Sequence, residues 1–115
     1  MLDRVFSRRE EENIEELLNN MDVTEENIYE GADALVKPMN LASEQEAMLA
    51  VNELRAGNLV LLNISDMQKR NKAQLKQLLD MIKVEVSKID GDLAGISADR
   101  VLATPSKIKI VKRRE

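Results

Sequence analysis

The chain has no cysteine and no histidine. Without them, neither a zinc site of the usual ligands nor a Ser-His or Cys-His nucleophile can be built. A disulfide framework is excluded too, and a cysteine-free composition fits a cytoplasmic protein. Phe6 and Tyr29 are the only aromatics. That leaves no platform for stacking bases, and a net charge of −4 opposes a nucleic-acid footprint. No stretch approaches the roughly 20 apolar residues of a membrane span. The first residues lack the apolar core of a secretory signal. Carboxylates, lysines and Tyr29 are the remaining acid–base groups, so no enzyme, metal or cofactor is expected.

The 115 residues suffice for one domain and are too few for two. Such a chain buries roughly two-thirds of its unfolded surface. Its 43% apolar and 33% charged residues are an ordinary globular balance.

The charge is unevenly placed. MLDRVFSRR, residues 1–9, is apolar and basic, and three glutamates follow at once. Residues 10–30 then hold eight Glu and one Asp with no Lys or Arg. Ile14, Leu17, Leu18 and Met21 recur at i, i+3, i+4, i+7, the spacing of a short amphipathic helix. A solvated linker with fluctuating helix is the preferred reading, since isolated helices this short are marginal.

The remainder reads as α+β. Ala34 to Pro38 suggests a strand stopped by proline. Ser43 stands three residues before Glu46, a capping box. The helix it opens carries Ala47, Met48, Val51 and Leu54 on one face and ends at Gly57. Leu59 to Ile64 is a continuous apolar run, the pattern of a strand covered on both faces. Strand, helix, strand suggests a parallel crossover. The next helix starts near Asn71, with a stripe through Leu75, Leu78, Leu79, Ile82, Val86 and Ile89. Met81 and Val84 lie off it and are free for a second contact. Gly91 is the expected left-handed cap. DLAGIS, RVLAT and KIKIVK then read as an antiparallel meander with turns at Ala98-Asp99 and Pro105-Ser106. The expected order is β-α-β-α-β-β-β, two helices on a five-stranded sheet.

Candidate motifs reduce to structural roles. Asp90-Gly91-Asp92 with Gly95 starts like a calcium loop, but its fifth and twelfth positions are Ala94 and Val101. No Gly-Lys-Ser/Thr follows either glycine, so there is no phosphate loop. Lys107, Lys109, Lys112, Arg113 and Arg114 form a basic end. Lysines alternating on a strand protect an exposed edge, and attraction to an anionic membrane is the other reading. Asn63-Ile64-Ser65-Asp66, where a strand feeds a helix, reads as a helix start.

Three stretches, in order and spacing, resemble the SepF family of cell-division proteins. They are VKP at 36–38 followed by the capped helix, AGNLVLLNISDM at 56–67, and GDLAGISADRVLATP at 91–105. The resemblance covers about residues 34–112. Val101 stands where the family has an aromatic, and Gly95 where it often has a basic residue. An acidic stretch of about 20 residues replaces the long linker of many bacterial members, so the archaeal branch is the closer likeness. The domains expected on this footing are a membrane-targeting segment 1–9, an acidic linker 10–31, a SepF-like domain 32–112 and a basic tail 113–115.

The resemblance implies a homodimer that binds the C-terminal tail of FtsZ, the tubulin-like division GTPase. It also implies an N-terminal amphipathic helix on the inner face of the membrane, hence a cytoplasmic, peripheral protein at the division site. In a helix from residue 1, Leu2, Val5 and Phe6 share one face, extended by Met1. Arg4, Arg8 and Arg9 flank it, suited to anionic headgroups. The stripe of Ile14 to Met21 lies about 115° away, so the inserting unit stops near Arg9. Three or four buried side chains give at most about 1.5–3 kcal/mol each, against an ordering cost of about 1–2 kcal/mol per residue. One tip is a marginal anchor, and two on a dimer gain by effective concentration. The tail is expected beside the DLAGIS–RVLAT hairpin, with Ile96 and Val101 as contacts. Alternation separates Asp92, Ala94 and Ile96 from Leu93 and Gly95, and Val101 and Ala103 from Leu102. Which set packs on the helices is open. A cytoplasmic homo-oligomeric structural module without membrane or FtsZ binding is the alternative.

Overall fold

The computed structural model describes residues 13–18 and 29–112. The chain divides into two compact units, Met1–Ala32 and Asp33–Glu115. In the first, residues 13–18 form helix α1 with Ile14, Leu17 and Leu18 exposed. A turn at 29–32 is closed by the Ala32 N–H on the Tyr29 carbonyl at 3.1 Å. Met1, Leu2, Arg4, Val5, Phe6, Arg8 and Arg9 lie outside the described residues, as do 113–115.

The second unit runs β1 (Val36–Asn40), α2 (Glu44–Arg55), β2 (Leu59–Asn63), α3 (Ser65–Arg70), α4 (Lys72–Lys88), β3 (Asp92–Ser97) and β4 (Arg100–Thr104). The strands form one sheet in the order β1-β2-β4-β3. β1 and β2 are parallel around α2, the expected crossover, and the other pairs are antiparallel.

Local signals explain most of the element ends. Ser43 caps α2, accepting the Gln45 N–H at 3.2 Å and donating its hydroxyl to Glu46 Oε1 at 2.6 Å. Glu46 is therefore held below the usual carboxylate range. Gly57, at φ 95°, turns the chain out of α2 in a conformation that favours glycine. Asn71 caps α4, accepting the Gln74 N–H at 3.1 Å.

One core joins the layers. Ala47, Ala50, Val51 and Leu54 of α2 and Leu75, Leu78, Ile82 and Val86 of α4 pack with Val60, Leu62, Val101 and Ala103 of the sheet. Burying a side chain such as Leu62 or Ile82 contributes about 1.5–3 kcal/mol. Lys37 of β1 reaches Glu53 of α2 at 3.1 Å. Arg55 of α2 meets Glu85 of α4 at 2.7 Å.

The structure corrects several expectations. Pro38 does not stop β1 but lies within it, tolerated because β1 is an edge strand paired only with β2. Met48 is 48% exposed, and Ala50 takes the core position expected for it. Leu79 and Ile89 only border the core. Leu59 to Ile64 is not covered on both faces: Val60, Leu62 and Ile64 are buried, and Leu59 and Leu61 only half-buried. A short helix, α3, precedes Asn71, begun where Asn63 Oδ1 accepts the Ser65 N–H at 3.0 Å. The left-handed residue after α4 is Asp90, at φ 60°, and not Gly91. Glycine is required at 91 for space: a Cβ there would lie 2.1 Å from the Thr104 carbonyl oxygen.

The fifth strand is also corrected. Residues 107–112 form no strand, and the sheet has four strands among the described residues. Lys107, at φ 67°, bends the chain away from a ladder. Ile110 then gives its N–H to the Asp92 side chain, 2.8 Å away, and not to a neighbouring backbone.

Candidate partner-binding site

The helices lie on one side of the sheet. Val60, Leu62, Val101 and Ala103 point toward them, so alternation sends their neighbours to the opposite face. There Val36 stands beside Leu59, and Pro38, Leu61, Leu102 and Ala94 form one row across all four strands. The next row is Asn40, Asn63, Arg100 and Ser97. This open face is apolar at its centre and polar along one rim. Val36 is 59% exposed, and Leu59, Leu61, Ala94 and Leu102 are half-buried.

The β3–β4 hairpin resolves which set packs on the helices. Val101 is buried at 7% exposure, and Leu93 borders the same core. Ile96 is the extra residue of a bulge between Gly95 and Ser97 and is 52% exposed. The two expected tail contacts are thus not brought together. Val101 faces inward as core, and Ile96 alone is accessible to a partner.

A polar knot sits at the start of β3. The Asp92 carboxylate accepts the Leu93 N–H at 2.9 Å, the Ile110 N–H at 2.8 Å and the Lys112 ammonium at 3.0 Å. Chiefly the Ile110 N–H, then Lys112, draws Asp92 down to about 2. Lys109 bonds the Asp90 carboxylate at 2.9 Å and the Gly91 carbonyl at 3.2 Å, and holds Asp90 below the usual carboxylate range. The Thr104 hydroxyl donates to the Ile108 carbonyl. Lys109 and Lys112 thus fasten the C-terminal segment to the domain. The only local signal of this knot is the Asp-Gly-Asp run at 90–92, which reads in sequence as the start of a calcium loop.

A cleft of about 540 Å³ opens at the same end of the domain, lined by Asp33, Ala34, Leu54, Ile89, Pro105 and Ile108, among others. The other displaced carboxyl, Glu53, is also held low, first by the Asn58 amide and then by Lys37. None of these groups is raised toward neutrality, as a general acid would be. No group of three His, Cys, Asp or Glu side chains among the described residues could hold a metal. No helix among them is long and apolar enough to cross a membrane. The geometry offers surfaces for binding.

Comparison with known proteins agrees on one family. The family of cell division protein SepF matches residues 36–110. Curated protein sequences give no match. Among solved structures, a SepF-like protein from Archaeoglobus fulgidus superposes with a TM-score of 0.65 at 23% identity, over 70% of this chain and 96% of that one. A SepF-like protein from Pyrococcus furiosus gives 0.61 at 26% identity, over 66% and 92%. Cell division protein SepF from Methanobrevibacter smithii, solved in complex with FtsZ-CTD, gives 0.55 at 12% identity, over 69% and 99%. The match extends from β1 through β4 to the fastened segment, more than half of the sequence: the chain belongs to the SepF family of cell-division proteins.

Proposed function

We propose that this protein is a cell-division adaptor, a homodimer that binds the C-terminal tail of FtsZ and tethers FtsZ filaments to the inner face of the cell membrane. Family membership carries this reading, together with the likeness in fold to a SepF solved with FtsZ-CTD. The open sheet face supports the dimer. A contiguous apolar row through Pro38, Leu61, Leu102 and Ala94 is a surface that self-association would cover. Two copies related by a twofold axis would place like faces together. The apolar, basic sequence of residues 1–9 supports the membrane arm. The acidic residues beyond it would hold the domain off an anionic surface.

The tail docks beside the β3–β4 hairpin, with Ile96 as its exposed apolar contact, at an affinity on the order of micromolar for a short peptide. Calorimetric titration of an FtsZ tail peptide into the wild type and Ile96→Asp tests this. Wild-type binding weakened in the variant is expected, and equal affinity in both would move the site elsewhere. A homo-oligomeric module without membrane or FtsZ binding would use the same open face. Co-sedimentation with anionic liposomes, with and without FtsZ, separates the two readings.

A further inference from the structure

We infer that the Asp92 carboxylate and the segment it fastens lock a self-complementary strand edge, and that their release lets β3 pair edge to edge with β3 of a second copy. The inference rests on the sheet register, and on neither the FtsZ nor the membrane reading.

The hydrogen-bond phase of the sheet shows which groups β3 aims outward. Ile64 N–H bonds the Asp99 carbonyl at 3.0 Å, one step beyond the Asn63–Arg100 pair of β2 and β4. Bonded and non-bonded pairs alternate in an antiparallel ladder, so Leu62–Val101 and Val60–Ala103 are bonded. Leu102 and Thr104 therefore aim their backbone groups at β3, where they meet Ala94 and Asp92. Leu93 and Gly95 aim theirs away from β4.

This edge is occupied from within the chain. The Asp92 carboxylate takes the outward Leu93 N–H at 2.9 Å. The same carboxylate holds the Ile110 N–H at 2.8 Å and the Lys112 ammonium at 3.0 Å. Lys109 bonds the Gly91 carbonyl at 3.2 Å, and the Lys107 N–H bonds the Asp90 carbonyl at 2.9 Å. Residues 107–112 thus line the edge, and Asp92 is the one group that grips both edge and segment. A covering segment and a charge on the edge are means by which proteins prevent edge-to-edge pairing. The opposite edge is blunted differently, by Lys37 and Pro38 of β1.

What the segment covers matches itself. After Asp92, β3 reads Leu-Ala-Gly-Ile-Ser, with no charge and no proline. An antiparallel pairing about a twofold axis at Ala94 sets Leu93 of each copy opposite Gly95 of the other. Both residues aim outward, so each such pair exchanges both of its N–H···O bonds. The Leu93 N–H enters that ladder only after Asp92 has let go of it. One carboxylate therefore controls the cover and the first donor beneath it. A twofold contact at this edge, added to one at the open face, would join copies into an open chain.

The experiment uses the full chain as wild type, Asp92→Ala and Asp92→Thr, the last keeping a strand-forming residue if the alanine variant fails to fold. Each Asp92 variant is also combined with Gly95→Pro. That change removes an outward N–H and leaves the bonds to β4, and no atom lies within 4 Å of a Cβ placed at Gly95. Light scattering over the micromolar range should give the Asp92 variants about twice the wild-type mass or more as concentration rises. Adding Gly95→Pro should return them to the wild-type mass. Exchange of the Leu93 and Gly95 amides in the Asp92 variants should slow with rising concentration, which reads the edge without the proline. An Ile110 amide set free in a folded variant that keeps the wild-type mass would overturn the proposal. So would an Ile110 amide still protected without the carboxylate, since Asp92 would then not be the lock. Association that persists in the Gly95→Pro combinations, with Leu93 and Gly95 exchange unchanged, would assign it to another surface and overturn the edge pairing.

Discussion

Asp92 holds the backbone N–H of Ile110 at 2.8 Å across 18 residues of sequence. A side chain thus takes the place of the ladder bond that a fifth strand would make. The alternating pattern of KIKIVK favours a strand, but the carboxylate claims Ile110 and Lys112 first. The segment becomes a strap fixed by charge-assisted bonds.

The strap should be sensitive to acid. Asp92 falls from an ordinary value of 3.8 to about 2 in the fold. A lowered folded value contributes stability in full above the ordinary one, lost as the pH falls from there through about 2. Protection of the Ile110 amide against exchange should fade over that window in the wild type. In Asp92→Ala it should be weak at every pH. Equal protection of Ile110 in both proteins near pH 5 would show that the strap is held by something else.

Gly91→Ala should destabilise the domain by about 1–3 kcal/mol. Its methyl group would press on the Thr104 carbonyl oxygen, a backbone atom that cannot swing aside. Gly95→Ala, with open space around it, should be nearly neutral. Thermal denaturation of the two variants reads the difference. Equal melting temperatures would mean that β3 and β4 separate at little cost.

Leu61→Lys places a charge in the centre of the open face and should abolish the proposed dimer without unfolding the protomer. Light scattering at micromolar concentration should give about twice the 13.0 kDa chain mass for the wild type and 13.0 kDa for the variant. A variant that keeps the doubled mass would put the dimer contact on another surface.

Replacing both Leu2 and Phe6 by Glu should release the protein from anionic liposomes. Its melting temperature should not change, since residues 33–115 form a compact unit of their own. Undiminished co-sedimentation would remove residues 1–9 as the anchor.

Periodicity made the helices legible. The stripe through Leu75, Leu78, Ile82 and Val86, the cap at Ser43 and the helix start near Asn71 are local signals, and the structure follows them. What local pattern missed depends on partners distant in sequence. Pro38 could be placed inside a strand only by knowing that β1 lies at an edge. The need for Gly91 comes from Thr104, and the loss of the fifth strand from Asp92. The candidate site was half legible. The β3–β4 hairpin is legible as an element, but the faces of its residues are not: alternation leaves open whether Val101 packs on the helices, and the bulge at Ile96 breaks the alternation in β3. Val101→Glu would thus test the core and not the partner surface, at a cost of roughly 3 kcal/mol or more for an unpaired buried charge.

The strand order has a mechanical consequence. Residues leading from the N-terminal segment join the sheet at Val36, the start of one edge strand, while Ile96 lies near the far end of the other edge strand. In a tether, tension between membrane and filament would therefore run diagonally across all four strands. Loaded this way, the ladder bonds of β1, β2, β4 and β3 resist sliding together and are not peeled one after another. Forced unfolding is governed by the height of the unfolding barrier. A small domain can then carry load through the direction of pulling as well as through its equilibrium stability.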